Sequence, residues 1–463
     1  MKRFALLAIA VVGVIAVLAA VVPEFVSADL VKRRIAENIA AMTGREVSLK
    51  GEPVLSIYPR VAVSVAGMTI GGPAGAKGEP LLTSDTVTAQ VRLLPLLFGN
   101  AQFDTIEIAK PRIHLIAATD GTPNWHLLPT PGSGDGDDNP AAPRRLKITD
   151  GTLVYDDLAT ARHEEIGQLS FDAAWARPAA AITGSGRGEW RGQAVEFNAQ
   201  LSSPLTLTQG GVSSFRLGVA SKPARVSFNG TIDGGDGYAL DGTTTINTAS
   251  LRGAIEWLGR PMGAGPTLGT ASIKGTMSWR GSTASFTGAT LELDGNSAEG
   301  AITLDLAGDR PLIQGTLAAT AFDLSPYLEA IRAGFGTGGS WLGTPVSLPL
   351  VDAVDADLRI SADRLVVGGA HIDDAAGSAT VTGGRIMVNV AQGRFYGGTL
   401  EAQFTLGMTG PLLWSRGEAR LTAVPVRQAL GELAGVRLLD GQGTATLQLG
   451  GQGQTWGDFV QAV

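Results

Sequence analysis

The sequence predicts a mainly β protein, an antiparallel meander behind an N-terminal helical lead-in, and three observations predict it. From residue 45 onward apolar and polar residues alternate with period two. Clusters of Gly, Asp and Asn separate the alternating runs, as hairpin turns require. The N-terminus, by contrast, holds one long unbroken apolar run that does not fit the β pattern.

Met1-Lys2-Arg3 is followed by Phe4 to Val22 without a charged or strongly polar side chain. As a helix this run spans about 28 Å, close to the hydrocarbon thickness of a bilayer. A cleavable signal peptide is the rival reading, with Val26-Ser27-Ala28 as its cleavage site. The run is longer than the usual apolar region of a signal, which favours a retained anchor. Residues 1–3 are then a cytoplasmic tail, 4–22 a single transmembrane span, and the bulk of the chain lies on the far side of the membrane, in a bacterium the periplasm, because Lys2 and Arg3 stay inside.

Residues 27–43 read as an amphipathic helix. Ser27 or Asp29 can cap it, and Leu30, Val31, Ile35, Ile39 and Met42 recur at helical spacing. Gly44 stands where a left-handed C-terminal cap is wanted. Lys32, Arg33 and Arg34 lie near the membrane exit and, with Lys2 and Arg3, form a membrane-proximal basic set. The helix has two readings: it plugs the end of the following sheet, which is preferred, or it touches anionic headgroups.

The strand windows follow in order. Val47/Leu49, Val87/Ala89/Val91, Val195/Phe197/Ala199/Leu201, Ile302/Leu304/Leu306, Ile386/Val388/Val390 and Leu400/Ala402/Phe404/Leu406 each alternate with polar neighbours. Asp233–Gly237, Asp241-Gly242, Asp294-Gly295-Asn296 and Gly383-Gly384 mark turns. Pro131 to Pro143 is rich in Pro, Gly and Asp and reads as a linker or long loop. The division is an N-terminal segment over 27–130, an acidic linker over 131–143, a central meander over 144–350 and a C-terminal β segment over 351–463. Ser250–Leu258, Ser325–Ile331 and Pro425–Leu433 are short helical connections, too irregularly spaced for a solenoid.

Composition removes several functions. With 36 Lys and Arg against 43 Asp and Glu, the net charge is −7, and nucleic acid is no partner. There is no cysteine, so thiol nucleophiles, zinc-thiolate sites and disulfides are excluded. His114, His126, His163 and His371 are scattered and form no metal or catalytic motif. Gly184-Ser185-Gly186-Arg187-Gly188 looks like a phosphate loop, yet no helix is expected after it. Asp135–Asn139 begins like a calcium loop, but Pro140 and Leu146 stand where Gly and Glu belong. No metal, cofactor or catalytic set is expected, and the chain reads as a non-enzyme.

What remains is the apolar strand face itself. In most antiparallel proteins such a face is the core of a closed sandwich. The functional alternative is an open groove that hides hydrocarbon chains from water, and alternation alone does not separate the two. The candidate groove residues are Val87, Val91, Ile106, Ile108, Val195, Phe197, Ile386, Val388, Val390, Leu400 and Phe404, acting collectively.

Particular motifs carry a resemblance. Pro23-Glu24-Phe25-Val26, Asp29-Leu30-Val31-Lys32, Thr43-Gly44-Arg45-Glu46-Val47, Leu49-Lys50-Gly51 and Leu55-Ser56-Ile57-Tyr58-Pro59 resemble the opening of the AsmA family. Pro95-Leu96-Leu97, Pro111-Arg112-Ile113, Asp120-Gly121 and Asn124-Trp125 extend the likeness to about residue 128. Ile148-Thr149-Asp150-Gly151 and Tyr155-Asp156-Asp157 are similar to the next family segment. Asp357–Ile360, Gly384–Val388, Phe395–Leu400 and Leu439–Gly443 resemble its C-terminal domain, and about 165–350 matches in style only. The resemblance implies an inner-membrane-anchored periplasmic protein with a long curled β-sheet groove, β-taco-like and related to TamB-like and chorein-type bridge proteins. It implies phospholipid as cargo, the inner-membrane bilayer as a partner, and a link to outer-membrane biogenesis and its assembly machinery. An assembly factor for outer-membrane β-barrels, built from closed β-sandwich domains, is the alternative. The family's C-terminal domain continues past the position of Val463, so either a fragment or an exposed sheet edge is expected.

Overall fold

The computed structural model describes residues 32–458 apart from 34, 38, 41–43, 57–60, 73–78, 93–102, 121, 125–142, 176–179, 236, 261–266, 309, 328–353, 369, 430–439 and 456. The expected anchor over 4–22, the tail residues Lys2 and Arg3, Arg34, and the linker over 131–143 except Pro143 fall outside these residues. Among the described residues no helix is long and apolar enough to cross a membrane.

The chain divides into two compact units: residues 1–222 with 233–235, and residues 223–232 with 236–463. Both are mainly β. The first unit opens with helix α1, whose described positions are 32–33, 35–37 and 39–40. Ile35 and Ile39 stand one turn apart and both are buried. Gly44 ends the helix as expected: its φ is +64° and its N–H donates to Ala40 O at 2.8 Å.

Strands β1 (Val47–Leu49), β2 (Val54–Ser56), β3 (Ala62–Ile70), β4 (Leu82–Val91), β5 (Phe103–Ala109) and β6 (Arg112–Ala117) follow. Then come β7 (Arg145–Asp157), β8 (Arg162–Trp175), β9 (Ile182–Trp190), β10 (Gln193–Leu201), helix α2 (Pro204–Thr208) and β11 (Val212–Ser221). β1 and β2 both pair with β3, and antiparallel neighbours run from β3 to β5 and from β7 to β11. β5 and β6, however, pair with successive halves of β7 in parallel.

The second unit holds β12 (Arg225–Asp233), β13 (Ala239–Thr248), α3 (Leu251–Trp257), β14 (Ala271–Arg280), β15 (Thr283–Leu293), β16 (Asn296–Asp305) and β17 (Leu312–Asp323). β18 (Asp355–Val367), β19 (Ala370–Thr382), β20 (Arg385–Phe395), β21 (Gly398–Thr409), β22 (Leu412–Pro425) and β23 (Gln442–Gly453) complete it. Consecutive strands from β13 to β23 pair antiparallel, except that β17 and β18 are parallel. The expected antiparallel meander is therefore corrected to a mixed, predominantly antiparallel sheet. A parallel pair needs a long connection, and the chain supplies one before β7 and another between β17 and β18.

Asp294-Gly295 and Gly383-Gly384 take the two positive φ values that tight hairpins require, as read from the sequence. Asp241-Gly242 is no turn: it lies inside β13. There the glycine serves close approach, since a Cβ on Gly242 would stand 2.6 Å from Gly230 Cα. Helix α3 spans Leu251–Trp257, capped by the Ser250 side chain, which accepts from Gly253 N at 3.0 Å. Residues 325–327 and 426–429 are helical too, and the rest of those two expected helices lies outside the described residues.

Several pairs carry β-bulges, among them β20–β21 between Val390 and Arg394 and β22–β23 between Leu421 and Val424. In the latter, Ala423 holds a φ of +55°, and Val424 turns inward to a buried site.

One core, in the first unit, joins Ile35 and Ile39 to Val63, Val65, Val87 and Ala89 among others. In the second unit Ile372, Phe395, Tyr396, Leu400, Val424 and Ala429 form another. Truncating Ile35 to Ala should cost about 2–4 kcal/mol, since the site keeps a fixed sheet beneath it; chemical denaturation of the purified chain measures this.

Glu164 clamps β8 to the β9–β10 turn. Arg191 donates to it through Nε (2.9 Å) and Nη2 (2.5 Å), Trp190 Nε1 at 2.8 Å and Arg162 Nε at 3.0 Å. Arg191 foremost, helped by Trp190 and Arg162 and opposed by burial, holds the carboxyl down to about 2. A lowered folded value means the clamp stabilises fully above pH ~4.5 and is lost as pH falls towards ~2. Denaturation midpoints of Glu164→Gln should fall less steeply with acid across that window than those of the wild type, which loses the clamp as well as its other lowered carboxylates.

Candidate functional site

Backbone pairing sorts the side chains into rows. In the first unit one row runs Val65, Val87, Ile108, Ile148, Phe171, Gly186, Phe197, Val219 across β3, β4, β5 and β7–β11. A second runs Val63, Ala89, Ile106, Leu146, Ala173, Gly184, Ala199, Leu217 beside it. The opposite face carries Ser64, Thr88, Glu107, Lys147, Asp172, Ser185 and Asn198 in matching register. Ser64 Oγ and Thr88 Oγ1 meet at 2.9 Å, and Lys147 Nζ reaches Glu107 Oε1 at 3.2 Å. In these rows one face is apolar or glycine and the other is polar.

The second unit repeats this over eleven strands. Its middle row is Gly242, Met277, Phe286, Ile302, Gly315, Leu358, Ala379, Val388, Phe404, Gly417, Leu449. One flanking row includes Ile313, Ala356, Val381, Ile386 and Leu406; the other includes Leu317, Ile360, Val390, Ala402, Ala419 and Leu447. Behind Val388 and Phe404 the opposite face presents Thr380, Met387, Asn389, Gln403, Thr405 and Glu418.

Along each band, cover changes. Over β3–β5 the face is closed core, with Ile35 and Ile39 of α1 in the same buried cluster. By β8–β10 Phe171, Val195 and Phe197 are only half-buried. In the second unit Met277 and Phe286 are buried, whereas Val388 is 38% exposed and Phe404 40%. Both stand on interior strands with a hydrogen-bonded neighbour on each side. Leu447 and Leu449 on β23 are exposed as well. A sandwich partner would bury such residues; an open sheet face leaves them wet.

The eleven candidate groove residues thus fall into three environments. Val87, Val91, Ile106 and Ile108 lie in the first unit's closed core, and Leu400 in the second unit's. Val195, Phe197, Ile386 and Val390 are half-buried on the face. Val388 and Phe404 are open. Phe171, Leu358, Leu447 and Leu449 share those rows without having been singled out, although the same alternation marks them. Of the basic set, Lys32 is tied to the sheet, donating from Nζ to Gly51 O at 2.7 Å, and Arg33 is exposed.

Chemistry-bearing clusters lie off this face. His114 Nδ1 meets Glu79 Oε2 at 2.8 Å and its Nε2 meets Asp156 Oδ2 at 2.5 Å; His163 Nδ1 meets Asp156 Oδ1 at 2.6 Å. The two imidazoles, His114 first, hold the Asp156 carboxyl below its ordinary range. Among the described residues no group of His, Asp and Glu could hold a metal ion.

The motif residues also find their place. Arg45 donates to the carbonyl of Asn124 and to that of Gly71. Asn124 in turn gives its Nδ2 to His114 O and accepts from Ile116 N, both at 2.9 Å. These residues staple the end of α1 to β6, which is joint-making rather than catalysis. The AsmA family model matches residues 1–195. Over these residues the chain is similar to the AsmA family. The match takes in α1, the closed core and β1 to β9, and ends within β10, while the C-terminal likeness lies beyond it. No curated protein and no solved structure matches the chain.

The placement has a measurable consequence. Leu400→Ala should destabilise the chain by about 2–4 kcal/mol, whereas Phe404→Ala, four residues along the same strand, should cost under about 1 kcal/mol. Equal losses in denaturant titrations would contradict the open face.

Proposed function

We propose that this protein, which matches the AsmA family over residues 1–195, carries phospholipid hydrocarbon on the apolar faces of its sheets, as a step in outer-membrane biogenesis. The observation that carries the reading is the exposure of Val388 and Phe404 on interior strands, in a band whose reverse side is polar. An apolar face left open in this way offers acyl chains a dry surface while headgroups stay in water. Covering about ten methylenes at ~0.8 kcal/mol each offsets about 8 kcal/mol of the cost of leaving a bilayer.

The apolar run over residues 4–22 supports an inner-membrane anchor, with Lys2 and Arg3 cytoplasmic and the β units in the periplasm. In this reading the partners are the inner-membrane bilayer, its phospholipid and the outer-membrane assembly machinery. The role is conduction and needs no catalysed reaction. The closed cores around α1 and around Phe395 would hold the sheets rigid while the open stretches take cargo.

Lipid extraction and mass spectrometry of the purified full chain test this. Bound phospholipid is expected, and Ile386→Asp with Val388→Asp should abolish it without unfolding the protein, because charge on a hydrocarbon-bearing surface is strongly disfavoured. A lipid-free chain that instead captures unfolded β-barrel precursors would point to an assembly factor.

A further inference from the structure

The glycine run 184–188 is not a phosphate loop but the heart of β9. Gly184, Gly186 and Gly188 all face the apolar side, and Ser185 and Arg187 face the exposed polar side. Glycine weakens a strand, so three on one face call for a reason. The neighbours supply it. A Cβ on Gly186 would stand 2.5 Å from Phe197 Cζ and 2.6 Å from the Ser170 carbonyl oxygen; one on Gly184 would stand 3.0 Å from Phe171 Cε2; one on Gly188 would stand 2.7 Å from Ile166 Cγ2. Phe171 and Phe197 flank β9 from either side, Phe171 leaning over Gly184 and Phe197 over Gly186, and their rings stack with centroids 5.9 Å apart and 22° between planes.

We infer that this glycine column sets the depth of the apolar band: it lets the two rings lie down, and thereby fixes the headroom for a hydrocarbon chain crossing β8–β10. A side chain at Gly184 must push Phe171 up into that space, whereas one at Gly186 meets both Phe197 and the Ser170 carbonyl. Gly184, Phe171 and Phe197 are then positioning residues for the cargo. The inference rests on the lipid-carrying reading and adds the place where passage is gauged.

The test uses the full chain in detergent, mixed with vesicles of phosphatidylethanolamine and phosphatidylglycerol that contain a fluorescent-acyl phosphatidylethanolamine. Lipid taken up is counted per folded molecule, with folding followed by circular dichroism. The clean position is Gly184, where a new methyl meets the Phe171 ring at 3.0 Å and no backbone atom closer than 3.9 Å. Gly184→Ala should lower the wild-type uptake, and Gly184→Ala with Phe171→Ala should regain it, because removing the ring reopens the space. Phe197→Trp raises the floor without touching β9 and should lose most of the uptake. A purely structural glycine column would instead give full uptake per folded molecule in Gly184→Ala and in Phe197→Trp, and that result overturns the inference. So does a Gly184 double variant that stays impaired. A wild-type chain that takes up no lipid overturns the underlying reading as well, which separates the two failures.

Discussion

Backbone register is the constraint on which everything else in this molecule depends. Side chains on a strand alternate faces, and ladder hydrogen bonds decide which residue stands beside which. Only because Val388 is opposite Phe404, and Phe404 opposite Gly417, do scattered apolar residues become a continuous surface. A slip of one residue in any pair would put Asn389 or Thr405 on that surface and break it. Hairpins with positive-φ turns, such as Asp294-Gly295 and Gly383-Gly384, hold most of these registers locally. The parallel pairs β5–β7, β6–β7 and β17–β18 have no such turn and depend on the ladder itself.

The same face serves two purposes at different places. Under α1 it is an ordinary core, where Ile35 and Ile39 exclude water from Val63, Val65, Val87 and Ala89. Around Val388 and Phe404 it is a surface. Nothing in the strand residues themselves distinguishes these situations: Val87 and Val388 are the same residue type in the same alternating pattern. Cover is a tertiary property, and the short helical pieces decide it.

This explains what could be read from the sequence and what could not. Strand existence, the two-faced pattern, the helix over α1 with its Gly44 cap, the helix at Ser250 and most hairpins were legible, because each depends on neighbours within a few residues. The parallel pairings were not, since residues far apart in the chain decide them. Asp241-Gly242 misled because the glycine there answers to Gly230 across the ladder rather than to a turn. The candidate face was legible as a face, yet its division into closed and open parts was not. Leu400 and Phe404 look equivalent in sequence and differ fourfold in exposure, at 9% and 40%.

The bulges bear on how such a chain can change. Before residue 390 the even-numbered positions of β20 look onto the apolar side; after its bulge Phe395 does. In β22 the odd-numbered Ala419 and Leu421 give way to Val424. The bulge therefore works as a phase shift in a two-letter reading frame: each strand is written in one frame up to that point and in the other beyond it. Substitutions alter single letters, but a one-residue insertion or deletion changes frame and inverts every side chain to the next turn. Only at a bulge can one frame error cancel another, so these short irregularities are where a long strand can gain or lose length with its two faces intact.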